Sequence, residues 1–218
     1  MGAAVQKQYL ELAGIPILGH VLRSLTRNLQ VHELVLVCPS GDEGYCRDRI
    51  VEPLGIQKIT IITPGGKERQ ESVFNGLLAL SDNIDMAVIH DGARPLLRAE
   101  DLMAVVKAAL ESGAATLAVP VKDTVKLADE NLYVKCTLPR ERLWLTQTPQ
   151  AFSYSLLLEA HRKALQTGFK GTDDAALVEA LGQPVRIVTG SYMNLKITTK
   201  EDLLIAEALM KGYWSDQP

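Results

Sequence analysis

Short apolar runs rich in β-branched residues alternate along the chain with longer segments whose apolar residues recur at helical spacing. Nearly continuous apolar runs are typical of strands buried on both faces of a parallel sheet. Their alternation with helical segments predicts one α/β domain over residues 1–218, with three layers around a mostly parallel sheet. The predicted strands are 33–38, 58–62, 86–89, 115–119 and 185–188.

The helical segments carry residues that favour helix ends. One helix is predicted after Pro16, which is tolerated in a first turn, and another after Arg69. Thr199 can accept a hydrogen bond from a following backbone N–H, so it predicts the N-cap of the last helix. The remaining predicted helices are 100–110, 154–165, 173–181 and 200–210.

Residues 121–140 interrupt this alternation. Two short apolar segments, 125–127 and 132–134, flank the polar turn 128–131, which predicts a β-hairpin. A two-stranded hairpin is only marginally stable by itself. We therefore expect a projecting β-arm at about 121–140 that packs on a second subunit, which predicts a homodimer. The alternative is a hairpin folded onto its own domain.

The amino-acid composition argues against several classes of protein. The chain is 47% hydrophobic and 22% charged, which predicts a folded core, and its formal charge of -3 argues against nucleic-acid binding. No apolar stretch is long enough for a membrane span, and residues 1–10 do not resemble a signal peptide. Three cysteines without Cys-x-x-Cys spacing predict reduced thiols. These features together predict a cytoplasmic protein.

Ligands of parallel α/β sheets bind beyond the carboxyl ends of the strands, so residues following each strand are candidates for function. After the second predicted strand, Gly65 and Gly66 precede the helix that begins near Arg69 and carries Ser72. Glycines let a ligand approach the backbone, and the first turn of a helix offers free N–H groups. An ordinary strand-to-helix turn explains the pattern equally well.

The third predicted strand is followed by His90-Asp91-Gly92-Ala93-Arg94-Pro95. A carboxylate at this position suits Mg²⁺, which typically takes one or two carboxylates plus substrate phosphates, and Arg94 could pair with a phosphate. Alternatively, Asp91 caps the next turn and Arg94 is its structural partner. His90 is better explained as a structural imidazole than as a ligand.

Two lysines remain ambiguous from the residues alone. Lys196 lies in a predicted strand of alternating apolar residues and would point opposite to Leu195 and Ile197, while Lys7 lies near the start of the chain. Either could be a solvated surface charge. The sequence lacks a serine-nucleophile motif, zinc-type Cys/His spacing, a Walker loop and a G-x-G-x-x-G fingerprint. Phosphate chemistry is the class that remains.

Seven motifs, in order and in register from about residue 7 to residue 208, resemble those of the 2-C-methyl-D-erythritol 4-phosphate cytidylyltransferases. They are Lys7-Gln8-Tyr9-Leu10, Gly65-Gly66 with Arg69 and Ser72, His90-Asp91-Gly92-Ala93-Arg94-Pro95, Asp123-Thr124-Val125-Lys126, Thr148-Pro149-Gln150, Thr172-Asp173, and Asn194-Leu195-Lys196-Ile197-Thr198. The resemblance implies a Rossmann-like nucleotidyltransferase fold. It also implies cytidylyl transfer from CTP to a polyol phosphate in the non-mevalonate isoprenoid pathway, with Mg²⁺ and release of pyrophosphate.

The resemblance also implies roles for individual residues. Lys7, Lys196 and Asp91 would be catalytic, and Asp91 would hold Mg²⁺. An arginine at the foot of the partner's arm would contact the polyol phosphate. Arg140 matches that arginine, and Arg142 is the alternative. The implied nucleotide-binding residues are Gly65, Gly66, Arg69, Ser72, Asp91 and Ala93, and the implied polyol-binding residues are Arg94, Thr124, Arg140, Thr148, Thr172 and Asp173.

One departure from the family lies at the start. Family members open with a strand and a glycine-rich loop ending in Arg-Met-Gly, whereas this sequence begins at Met1-Gly2. We expect Met1 to be an internal methionine of a longer protein, and the alternative is a genuine shortened variant. Two other functions stay open: ribitol 5-phosphate cytidylyltransferase, and a chain that binds nucleotide without turnover.

Overall fold

The computed structural model describes residues 6–214; residues 1–5, which include the Met1 expected to be an internal methionine, and 215–218 lie outside the described residues. The described chain is a mixed α/β domain with one four-stranded sheet and three two-stranded ones. The strands are β1 (Glu11–Leu12), β2 (Ile15–Pro16), β3 (Leu34–Cys38), β4 (Ile59–Pro64), β5 (Met86–Ile89), β6 (Ala114–Pro120), β7 (Lys126–Ala128), β8 (Val134–Thr137), β9 (Trp144–Ser153) and β10 (Arg186–Thr189). The helices are α1 (Ile17–Thr26), α2 (Glu43–Cys46), α3 (Arg69–Leu78), α4 (Ala99–Ser112), α5 (Tyr154–Thr167), α6 (Asp174–Ala180) and α7 (Lys200–Leu209).

All five predicted strands and all six predicted helices are present, with ends within a few residues of the predicted ones. Thr199 accepts a hydrogen bond from the backbone N–H of Asp202, and the Asp202 carboxylate accepts one from the Thr199 N–H. This reciprocal pair is a capping box, so the predicted start of the last helix is confirmed.

The main sheet has the strand order β10-β6-β9-β5, in which β10 is parallel to β6 and β9 is antiparallel to both neighbours. The sequence did not predict β9. Its segment contains Pro149 and several polar residues, whereas buried strands usually read as apolar runs. The register between β6 and β9 shifts near Pro149, and a bulge of this kind tolerates a residue without an N–H.

Helices cover both faces of the main sheet, which gives the predicted three layers. Ala115 and Ala151 pack on the α4 face, while the adjacent Ala114 and Phe152 pack on the face covered by α5 and α6. Neighbouring residues of a strand point to opposite faces, so these pairs fill one core on each side.

Strands β3 and β4 form a separate parallel pair beside the main sheet. Within the described residues, β3 pairs only with β4, and β5 pairs only with β9. The remaining edges of β3 and β5 both line one cavity of about 1220 Å³, whose walls also include residues of α1, α3 and α4. The candidate site lies where these two strands end.

The predicted hairpin is confirmed as the antiparallel pair β7–β8. The residues of both strands are exposed, as are Leu132 at 87% and Tyr133 at 73% in the turn between them. The base is closed by backbone hydrogen bonds from Val121 N to Leu143 O and from Leu138 N to Val125 O, each 3.0 Å long. The hairpin therefore buries almost no apolar surface within its own chain.

Candidate active site

Asp91 is the centre of a charged cluster directly after β5. Its Oδ2 lies 2.9 Å from Lys196 Nζ and 3.6 Å from Arg94 Nε, and its Oδ1 lies 3.4 Å from Arg69 Nε. These three cations come from distant parts of the sequence, and the fold brings them to a carboxylate that is only 14% exposed. Burial favours a raised pKa for Asp91, but the hydrogen bond and charge of Lys196 and the two arginines outweigh it, so the pKa is lowered.

A chain of hydrogen bonds fixes the loop that carries Asp91. The Asp91 backbone N–H donates to Thr148 Oγ1 at 3.0 Å, and Thr148 Oγ1 lies 3.1 Å from His90 Nδ1. His90 Nε2 in turn lies 3.2 Å from the Arg94 carbonyl oxygen. Burial lowers the pKa of His90 to about 4, so the ring is neutral and can accept from Thr148 while donating to the carbonyl. The structural interpretation of His90 is confirmed.

The segment that carries Lys196 is not a strand, contrary to the prediction, because its backbone bonds to the loop after β5 instead of to a neighbouring strand. Ile197 N donates to the Ala93 carbonyl at 2.8 Å, and Arg94 Nη1 donates to the Asn194 carbonyl at 2.8 Å. The fully buried Asn194 side chain donates from Nδ2 to the Thr148 carbonyl at 2.9 Å. Arg94 thus makes the contacts of a structural partner, and its contact with substrate stays a prediction.

The glycine-rich segment forms a tight turn between β4 and α3. Gly65 N donates to the Cys38 carbonyl at 2.7 Å, and Gly66 N donates to Ser72 Oγ at 3.1 Å. A Cβ on Gly65 would come within 2.7 Å of Ser72 Oγ, and one on Gly66 within 2.3 Å of the Glu71 Cβ. Both positions therefore require glycine because of close contacts rather than unusual backbone angles.

The cavity between β3 and β5 collects the residues predicted to bind nucleotide. Its wall includes the two lysines predicted to be catalytic, and Lys7 is exposed there. The predicted site residues in this wall are Lys7, Gly65, Gly66, Arg69, Ser72, Asp91, Ala93 and Lys196. Eight residues from four separate sequence motifs thus share one cavity, although no single motif required it.

The residues predicted to bind the polyol phosphate fall into two groups. Thr148 contacts the Asp91 loop, whereas Thr172 is exposed and Asp173 caps α6 by accepting from Ala176 N at 2.9 Å. Thr124 and Arg140 lie at the base of the β-arm, where Arg140 Nη1 donates to the Lys122 carbonyl at 3.0 Å. The last two residues are exposed and do not line the cavity.

Sequence reasoning missed a buried polar network behind the site. Asp174 is 1% exposed and accepts from Arg69 Nη1 at 2.8 Å and from His161 Nε2 at 3.1 Å. Gln150 is fully buried and donates from Nε2 to Asp173 Oδ2 at 2.8 Å and to Thr116 Oγ1 at 2.9 Å. The sequence offered one signal for this network: polar residues at helix or strand positions where apolar residues are expected. Such a signal does not show which residue each of them contacts.

The donor set is compatible with Mg²⁺ in one specific way. Among residues 6–214, no cluster of three or more His, Cys, Asp or Glu side chains is arranged to hold a metal. In the charged cluster after β5 the carboxylate is that of Asp91, and Mg²⁺ commonly binds through one carboxylate, water and substrate phosphates. A metal that arrives with a nucleotide fits these residues, whereas an all-protein metal cage does not.

Comparison with known proteins agrees with this geometry. A structure from Anaerococcus prevotii, described as 4-diphosphocytidyl-2C-methyl-D-erythritol synthase, superposes with a TM-score of 0.87 at 34% identity, covering 96% of this chain and 92% of that one. The 2-C-methyl-D-erythritol 4-phosphate cytidylyltransferase structure from Thermus thermophilus superposes with a TM-score of 0.80 at 36% identity, covering 94% and 93%. The chain therefore has the fold of a nucleotidyltransferase.

Sequence similarity defines the family more narrowly. A relative from Pelotomaculum thermopropionicum, named 2-C-methyl-D-erythritol 4-phosphate cytidylyltransferase, is 57% identical over 212 residues, which cover 97% of this chain and 89% of that protein. The sequence model for 2-C-methyl-D-erythritol 4-phosphate cytidylyltransferase matches residues 1–212. The chain belongs to this family, as its motifs indicated.

Proposed function

We propose that this chain transfers the cytidylyl group of CTP to 2-C-methyl-D-erythritol 4-phosphate and releases pyrophosphate, a step of the non-mevalonate route to isoprenoid precursors. The carrying observation is the convergence of Lys196, Arg69 and Arg94 on Asp91 beside the Gly65-Gly66 turn, in a member of this family. The geometry provides clustered positive charge and a shaped cavity, which is what phosphoryl-group transfer requires.

The reaction needs no covalent intermediate with the protein. An oxygen of the 4-phosphate attacks the α-phosphorus of CTP, a new P–O bond forms, and the bond to the pyrophosphate oxygen breaks. Negative charge spreads over the α-phosphate oxygens in the transition state. Lys196 and Lys7, both in the cavity wall, would stabilise that charge with their ammonium groups.

Lys196 has a partner before substrate binds. Its ion pair with Asp91 at 2.9 Å keeps the ammonium beside the loop that would meet the phosphates. In the complex, Asp91 would hold Mg²⁺, which supplies positive charge on the phosphates. When substrate binds, Lys196 would exchange Asp91 for the phosphates as its ion-pair partner. The charge of Asp91 would remain neutralised.

The glycine turn would recognise the cytosine base. Gly65 and Gly66 leave the backbone accessible, and the Ser72 hydroxyl both donates and accepts hydrogen bonds, which suits the mixed edge of cytosine. Ser72 Oγ at present accepts from Gly66 N and donates to the Glu68 carbonyl at 3.0 Å. Arg69, the first residue of α3, would support this turn from behind.

The polyol phosphate would be bound between two subunits. Thr148, Thr172 and Asp173 would contact it from one subunit, and Thr124 and Arg140 would reach it from the partner's arm. Exposed apolar side chains on and next to the hairpin support a homodimer because they cover no core of their own, as Leu132 and Val134 show at 87% and 62% exposure. Arg140 is preferred to Arg142 on its spacing to the following motif.

A cytoplasmic location completes the proposal. Cys38, Cys46 and Cys136 are all free thiols, which fits a reducing compartment. In the described part of the chain, no helix combines the length and apolarity needed to cross a membrane.

Pyrophosphate release is the direct test. The chain is incubated with CTP, Mg²⁺ and either 2-C-methyl-D-erythritol 4-phosphate or ribitol 5-phosphate, and a second preparation carries a family-type glycine-rich leader before Met1. Turnover with the methylerythritol phosphate supports the proposal. Preference for ribitol phosphate would change the substrate, because a site built for one set of hydroxyls leaves polar groups unpaired with the other. CTP binding without turnover in both preparations would favour a nucleotide-binding role.

A further inference from the structure

A buried carboxylate with two hydrogen-bond partners lies behind the candidate active site, and neither this carboxylate, on Asp174, nor the His161 ring that contacts it lines the cavity. Asp174 begins α6, and its carboxylate is 1% exposed. Oδ2 accepts from Arg69 Nη1 at 2.8 Å, and Oδ1 accepts from His161 Nε2 at 3.1 Å. A buried carboxylate is costly unless it is paired and hydrogen-bonded, and here both oxygens have a partner.

The partner histidine is itself fixed. His161 lies on α5 with a side chain 1% exposed, and its ring stacks on Phe74 of α3 with the centroids 5.9 Å apart and the planes 9° apart. A carboxylate oxygen can only accept, so His161 Nε2–H donates to Asp174, while Nδ1 has no hydrogen-bond partner among the described residues. The carboxylate is thus held in one orientation from two sides.

Arg69 connects this buried pair with Asp91. One guanidinium nitrogen, Nη1, contacts Asp174, and Nε lies 3.4 Å from Asp91 Oδ1. The contact of Arg69 with Asp174 is much shorter than its contact with Asp91. Burial lowers the pKa of Arg69, but the negative charges of Asp174 and, second, Asp91 outweigh it, so the pKa is raised. Without the Asp174 charge, the Asp91 carboxylate would be the remaining partner, and a planar guanidinium pairs readily with both oxygens of one carboxylate.

We propose that Asp174, oriented by His161, is a positioning residue that holds Arg69 away from full pairing with Asp91, and so keeps an Asp91 oxygen available to the incoming nucleotide and its Mg²⁺. This inference rests on the proposed function, in which Asp91 and Arg69 belong to the nucleotide site. It predicts that loss of the Asp174 charge weakens CTP binding even though Asp174 is buried and does not line the cavity.

A double-mutant cycle tests the inference. CTP affinity in the presence of Mg²⁺ is measured calorimetrically for the unsubstituted chain, Asp174→Asn, Arg69→Met and the double variant. We expect Asp174→Asn to weaken CTP binding about tenfold, and to change it less than about twofold when Arg69 is already Met, because residues that act through one another are not additive. Equal effects of Asp174→Asn in both backgrounds would overturn the proposal.

A purely structural role is distinguished by the second substrate and by a control pair. Asp174 follows Asp173, so a general disturbance of α6 would raise the KM for the polyol phosphate rather than weaken CTP binding. Asp101 is the matched control, because it is buried, lies 2.7 Å from Arg98, and neither residue of this pair lines the cavity. Asp101→Asn should lower the urea midpoint of unfolding and leave CTP affinity unchanged. Weakened CTP binding in this control would also overturn the proposal.

Two variants of His161 test the proposal independently if Asp174→Asn does not fold. In His161→Gln an amide N–H can occupy the place of Nε2–H, whereas His161→Leu removes the donor. CTP affinity should be retained in the first variant and reduced several-fold in the second, and equal affinities would contradict the proposal. CTP binding is measured without turnover, so failure of the proposed function can be told apart from failure of this inference. If the unsubstituted chain binds CTP but does not use methylerythritol phosphate, the proposed function is refuted, and the effect of Asp174 on CTP affinity can still be measured. If no preparation binds CTP, both are refuted.

Discussion

Gln150 offers the sharpest test of how the fold supports the loop that carries Thr172 and Asp173. It lies on β9 with no exposed surface, and its Oε1 accepts from the backbone N–H groups of Asp174 and Ala175, each at 3.2 Å. Its Nε2 donates to Asp173 Oδ2 and Thr116 Oγ1 at 2.8 and 2.9 Å. One side chain therefore satisfies the first turn of α6 from the centre of the sheet.

Gln150→Leu keeps a similar volume but removes every one of these hydrogen bonds. Two buried backbone N–H groups lose their shared acceptor, and each buried unsatisfied group costs about 1–3 kcal/mol. Because both N–H groups share one oxygen, we expect a total loss of about 3 kcal/mol in the free energy of unfolding. For a chain of this size, that corresponds to a decrease of roughly 6–12 °C in Tm.

Urea denaturation followed by tryptophan fluorescence measures the loss, and the KM for the polyol phosphate should rise because Asp173 loses its fixed donor. Gln70→Leu is the matched control. Gln70 bridges Phe169 O and Gly171 N at 3.2 and 3.1 Å, but near the surface, where water can replace it. We expect the control to cost less than about 1 kcal/mol. The reasoning is refuted if the two variants lose equal stability.

Four further predictions concern catalysis, assembly, the thiols and acid stability. Lys196→Ala should lower kcat by at least about a hundredfold with a smaller effect on CTP binding, because the ammonium would act in the transition state; steady-state kinetics and calorimetry separate the two. Tyr133→Asp should convert a dimer to a monomer in analytical ultracentrifugation, because it places a charge on the exposed apolar arm. Ellman's reagent at pH 8 should modify the exposed Cys136 within minutes and the other two thiols only after denaturation, because they are buried and burial raises the pKa of Cys38 to about 12. Hydrogen bonds from Thr198 and Thr199 lower the pKa of Asp202 to about 2, so the stability lost in Asp202→Asn at pH 7 should disappear as the pH falls through about 2.

Each of these four predictions can be contradicted by a specific result. Equal losses of CTP affinity and kcat in Lys196→Ala would make it a binding residue only. A monomeric unsubstituted chain would refute the arm as a dimer contact, and fast modification of all three thiols would contradict their burial. The sign of the acid prediction follows from a folded pKa that lies below the unfolded one: the stabilisation is present above the unfolded pKa and is lost as the pH falls. A stability difference that grows toward acid pH would contradict it.

The sequence predicted the elements that depend on local pattern. Strand β3 is a nearly continuous apolar run, helix α4 has helical spacing, and the last helix begins at a capping residue recognisable by its type. Burial on both faces of a strand gives an apolar run, and burial of one helix face imposes a period of 3.6, so such elements can be predicted from the sequence alone. The motifs around Asp91 and Lys196 likewise indicated the family, because their order and spacing are properties of the sequence.

Only the tertiary structure determined what the buried polar residues do. Strand β9 carries Gln150 and Pro149 where an apolar run would be expected, and it is stable in the sheet because its polar groups find partners on other elements. The contact between Asp174 and Arg69 joins residues 105 positions apart, and no local pattern specifies such a pair. Hydrogen bonds and ion pairs depend on distances of about 3 Å between atoms, and those distances exist only once the layers have packed.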